Sequence, residues 1–115
     1  MAFFGNDLDT SVSNYQNVLE PIRIWGFEKA TTGRSIYLNG ERIKKDNNME
    51  NLLGWDGATI GRVLSSFYMG MIHEVLIYNT ALVIDNREKI EGYLAHKWGQ
   101  ATNLSAGHPY KTASP

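Results

Sequence analysis

Residues 70–99 read GMIHEVLIYNTALVIDNREKIEGYLAHKWG, and their reading decides the fold. The first part, 71–78, is nearly continuous in apolar side chains: Met71, Ile72, Val75, Leu76, Ile77 and Tyr78. A strand with one wet face alternates, whereas a strand covered on both faces does not. The run therefore predicts a central, buried strand. The second part predicts an amphipathic helix over 86–98. Asp85 and Glu88 have the spacing of a capping box, with Asp85 as N-cap. Ile90, Tyr93, Leu94 and Trp98 then share one helical stripe, which leaves Arg87, Lys89, Glu91 and Lys97 to solvent. Gly99 suits the residue that ends a helix. Gly92 costs about 1 kcal/mol against Ala inside a helix, and its smallness predicts a close approach to the sheet.

Upstream, the strongest local signal is Asn39-Gly40 between the strand-like runs 35–38 and 41–45, the mark of a type I′ hairpin. Residues 20–29, EPIRIWGFEK, predict a strand with Ile22 and Ile24 on one face and Arg23, Trp25 and Phe27 on the other. TTGR at 31–34 is a turn. Residues 58–64 predict a strand, Ser65-Ser66 a turn, and 67–69 a short strand. Residues 1–19 hold no sustained period and form an N-terminal arm, with Phe3 and Phe4 as anchors onto a neighbouring surface. Residues 100–115 form a tail whose large apolar groups are Leu104 and Tyr110, and Pro109 and Pro115 oppose further helix. Short strands followed by one late helix predict a mainly β fold, an antiparallel sandwich over 20–99 with a C-terminal helix.

Composition narrows the function classes. A chain of 115 residues predicts one domain, and 43% hydrophobic content suffices for a core. Eleven basic residues against twelve acidic give a net charge of −1, so no basic field is present to hold a phosphate backbone. With no cysteine there is no disulfide framework, thiolate metal site or cysteine nucleophile. No basic segment precedes an apolar run at the N-terminus, and no run is long enough to span a bilayer. Synthesis in a cytoplasm, with neither membrane nor nucleic acid as partner, is the expectation.

Four pieces in order carry a family resemblance. RSIYLNGERI resembles the Asn-Gly hairpin of the concanavalin A-like lectin/glucanase superfamily, in its laminin-G-like branch. ATIGR resembles the strand that follows, and GMIHEVLIYNTAL a later strand of the same fold. EGYLAHKWG with AGHPYK resembles a C-terminal extension of environmental bacterial and bacteriophage members. The likeness spans about residues 22–111. It implies a jelly-roll sandwich. Members of the family carry several more strands upstream, so the chain looks like the C-terminal half of such a domain.

Glu74 is the carboxylate to test first, because glucanases of that superfamily set acids alternately along one strand. Retaining glycosidases need two carboxyl groups close together. The same-face neighbours of Glu74 are Ile72 and Leu76, so Glu74 is expected to be structural and the chain not an enzyme. His73, His96 and His108 share no metal-ligand spacing, and His108 is expected to dock the tail. Asp7 and Asp9 give only a weak calcium pattern. No cofactor is expected. Trp98 is expected in the core and Trp25, with Phe27, at a core or interface. Trp55 beside Asp56 in the turn GWDG is the candidate sugar-stacking site, a flat ring next to a carboxylate, the alternative being that Trp55 caps the edge of the sandwich.

Two functions follow as expectations. One is a structural and interaction module of a virion, a bacteriophage head or tail decoration or fibre component made in the host cytoplasm. Copies of itself or another virion subunit would complete its sheet through Phe3, Phe4, Trp25 and Phe27. Surface glycans are the ligand class it allows. The other is a carbohydrate-binding accessory domain of a bacterial surface protein or glycan-degrading enzyme.

Overall fold

The computed structural model describes residues 22–49, 59–63 and 65–115. The expectations for Phe3, Phe4, Asp7, Asp9, Trp55 and Asp56 lie outside those residues. Strands β1 (Trp25–Ala30), β2 (Gly33–Leu38) and β3 (Glu41–Asp46) form an antiparallel sheet in that order. Two short strands, β4 (Arg62–Val63) and β5 (Ser66–Phe67), pair with each other. Helix α1 (Ile84–Lys97) follows, then a single 3-10 turn at Ala101–Asn103. A three-stranded sheet with one C-terminal helix is thus present.

The expected hairpin is there. Asn39 (φ 49) and Gly40 (φ 82) both take positive φ, as a type I′ turn requires. Asn39 also lengthens the β1–β2 pairing: its backbone N–H donates to the Ile24 carbonyl at 2.8 Å, and its side-chain oxygen accepts from the Ile24 N–H at 2.9 Å. Opposite β2, Ile36 faces Lys44 but Tyr37 faces Arg42, so Ile43 is the extra residue of a bulge in β3. Register divides the sheet into two faces. Trp25, Phe27, Ile36 and Leu38 share one; Gly26, Ser35 and Tyr37 share the other. Trp25 and Phe27 stack with ring centroids 6.2 Å apart, on one side of β1 as the alternation predicts. Strand β2 is buried from Gly33 to Tyr37, and Ile36 and Leu104 are the largest fully enclosed side chains among the described residues.

The buried central strand expected at 71–78 is corrected. Among the described residues these positions belong to no strand and pair with none. Met71 and Ile77 are about four-fifths exposed, at 79% and 82%, and Ile72, Val75, Leu76 and Tyr78 are exposed as well. A strand exists through a ladder partner and cover on its faces. Apolar composition predicts that cover but does not supply it.

The helix differs in three respects. It starts at Ile84, and the N-cap position is Val83, which makes no side-chain cap bond. Asp85 is therefore not the cap but lies in the first turn, where its charge favours the helix dipole. The inward face carries Glu91, Gly92 and Ala95, whereas Tyr93 of the expected stripe is exposed. Arg87, expected in solvent, lays its guanidinium 4.1 Å from the Tyr37 ring centroid. At the other end Gly99 has φ 67 and closes the helix as expected.

What the helix packs against explains its reversed face. Gly92 does allow a close approach, but to the tail rather than the sheet: a Cβ there would overlap Tyr110 Cβ and stand 2.9 Å from its Cγ. The tail lies between the β2–β3 turn and the helix, and His108 is buried there.

Candidate functional site

Among the described residues this arrangement builds three polar clusters. In the first, the sheet places Arg34 opposite Asp46. The Arg34 Nε–H donates to Asp46 Oδ1 and Oδ2 at 3.2 and 3.1 Å, and a terminal guanidinium nitrogen also pairs with Oδ2. Asp46 Oδ1 further accepts the Asn48 N–H at 3.1 Å, which turns the chain after β3. Arg34 is buried, and its hydrogen bonds hold the Asp46 carboxyl below its ordinary value.

The second cluster ties 71–78 to the end of α1. Trp98 Nε1–H donates to Glu74 Oε2 at 2.9 Å, and Lys97 Nζ lies 3.0 Å from the same oxygen. The His73 ring meets Trp98 edge-on at 5.0 Å. Lys97 also sits 5.3 Å from the Tyr93 ring centroid. Lys97 first, and Trp98 second, hold the Glu74 carboxyl below its ordinary value. The Glu74 carboxylate thus has Lys97 and the Trp98 indole as partners. Trp98 is half-buried at the helix end rather than central to the core.

The third cluster is enclosed. Glu91 Oε2 lies 3.3 Å from His108 Nε2, and Glu91 Oε1 lies 3.3 Å from Arg87 Nε, without the alignment of a hydrogen bond. Burial pushes the Glu91 carboxyl up, against the opposing pull of Arg87 and His108. The Glu91 and His108 side chains are 6% and 1% exposed, so packing closes them to substrate. Among the described residues no group of three His, Asp or Glu is arranged to hold a metal ion, and no helix is long and apolar enough to cross a membrane.

The sequence reading expected docking by His108 but missed its carboxylate partner. The i, i+4 spacing of Arg87 and Glu91 was the available signal. It marks a pair on one helical face without telling whether that face looks outward.

These shifts set an expectation for acid. Asp46 and Glu74 have lowered values in the fold, so their contribution is complete above the ordinary carboxylate range and drains as pH falls through the lowered values. Glu91 has the opposite sign: its contribution is complete below the ordinary range and drains as pH rises through the raised value. The urea midpoint is expected to fall as pH is lowered from about 4 toward about 2. Asp46→Asn should flatten that fall. An equally steep acid limb in Asp46→Asn would remove Asp46 from the account.

Compared with protein-family models, curated proteins and solved structures, the chain matches none.

Proposed function

We propose that the chain is a non-catalytic structural and interaction module of a virus particle, a bacteriophage head or tail decoration or fibre component. One observation supports the interaction role, the exposure of residues 71–78; the virion setting rests on the family resemblance of residues 22–111. Six large apolar side chains within eight residues stand in solvent, and the backbone that bears them has no strand partner among the described residues. Burying such surface is worth roughly 25 cal/mol per Å², and an apolar run without a ladder partner accepts strands from a neighbour. In this reading strands of another subunit flank 71–78, and a jelly-roll sandwich of the concanavalin A-like type is the completed form. The Glu74 carboxylate is engaged internally by the Trp98 indole and Lys97, which supports a non-catalytic role. Any glycan contact falls to Trp55 and Asp56.

Size-exclusion chromatography with light scattering on the purified chain tests the assembly. The expected result is an oligomer, with a trimer first, or a species that binds a hydrophobic dye until its partner subunit is added. A monodisperse, cooperatively unfolding monomer that binds no dye would overturn it. Gold-labelled antibody on purified particles, viewed by electron microscopy, tests the virion location.

A further inference from the structure

Residues 105–111 cross between the β2–β3 turn and α1, and one imidazole latches them there. The Ser105 N–H donates to the Asn39 carbonyl at 3.0 Å. The His108 ring is lodged against Gly40, where a Cβ would overlap its Cδ2 and stand 3.1 Å from its Nε2. His108 Nδ1 lies 3.2 Å from the Tyr110 backbone nitrogen. A backbone N–H can only donate, so Nδ1 carries a lone pair and the ring proton is on Nε2. Nε2–H therefore donates to Glu91 Oε2 at 3.3 Å. The docked geometry demands a neutral imidazole in one tautomer.

The other contacts make no such demand. His96 Nε2–H donates to the Tyr110 carbonyl at 2.8 Å, which an imidazolium does equally well. Lys111 Nζ donates to the Thr102 carbonyl at 2.8 Å and also to that of Leu104.

We propose that residues 105–111 form a strap that protonation of His108 unlatches. A proton on Nδ1 would set two N–H donors against each other, inside a site with little solvent to relieve them. The groups around the ring decide where an added proton goes. From α1 come Glu91, which attracts it, and Arg87 behind Glu91, which repels it; Glu88 adds negative potential at Glu91. From β2 comes Tyr37, stacked on Arg87, and from the strap Tyr110; the turn offers Gly40. Glu91, whose burial raises its own affinity for a proton, is the competing acceptor. A proton on Glu91 leaves the strap latched, and a proton on Nδ1 opens it. Opening uncovers the Gly92 face of α1, which Tyr110 covers.

Amide hydrogen exchange on the full chain, corrected for intrinsic rates, is compared at about pH 7.5 and about pH 5, a span that brackets imidazole titration. Tyr110 and Lys111 are expected to lose protection about tenfold or more at the lower pH, with α1 unchanged. His108→Asn keeps an acceptor at the Nδ1 position without titrating, and should abolish the step. His96→Gln should retain it. Imidazole ¹⁵N shifts of the parent chain locate the proton, so the parent decides even where His108→Asn fails to dock. Unchanged protection overturns the proposal, whether His108 is then found cationic in place or still neutral. So does a pH step that survives in a docked His108→Asn chain.

Discussion

Gly33→Val is expected to destabilise the chain by about 3 kcal/mol or more, through backbone strain and overpacking together. Gly33 opens β2 with φ 126, a conformation that side-chain-bearing residues rarely adopt. Space adds a second penalty. A Cβ there would overlap the Asp46 carbonyl oxygen and stand 3.0 Å from Asn47 Cα. Those atoms are main chain at the end of β3, so no rotamer change relieves the contact. Any relief must move the strand end that carries the Arg34–Asp46 pair. Gly33→Ala should act in the same direction with a smaller effect. Exposed Thr32 next to it is the control, and Thr32→Ala should stay within about 0.5 kcal/mol of the parent. Urea denaturation of the three variants is the measurement. A Gly33→Val chain as stable as its parent would mean that β2 does not begin in this conformation.

Ile36→Ala is expected to cost about 2–5 kcal/mol, and Ile36→Val about 1 kcal/mol. Ile36 is fully enclosed in the middle strand, facing Phe27 of β1 and Lys44 of β3. Deleting its branches removes apolar contact and leaves a cavity that the paired backbones on both sides cannot close. Against a whole-domain stability of roughly 5–15 kcal/mol this is a large share. Leu104→Ala should act in the same range, because Leu104 is the other large side chain so enclosed among the described residues. Comparable losses at two positions 68 apart in sequence would show that the tail belongs to the cooperative unit. A loss at Ile36 alone would show that the tail folds on separately.

The hairpin was legible from residues alone because its information is local. Asn39-Gly40 accepts positive φ, the runs on either side favour extended backbone, and the pairing follows from the turn. The same holds for the end of α1 at Gly99 and, within two residues at the start and one at the end, for the helix itself.

Which face of α1 turns inward was decided by what lies next to it. The apolar stripe through Tyr93 predicts one face, yet the tail offers His108 and Tyr110, and these select Glu91, Gly92 and Ala95. Charge pairing and the missing Gly92 side chain outweigh the stripe, because a buried carboxylate needs its partners nearby and a tyrosine Cβ needs the space. The run 71–78 shows the other limit. Its composition specifies a strand that needs cover on both faces, but a strand is a relation between segments, and among the described residues no second segment pairs with it. Local turns and helix ends are thus written in neighbouring residues, whereas burial, partner choice and the pairing of Glu91 with His108 arise only when distant parts of the chain meet.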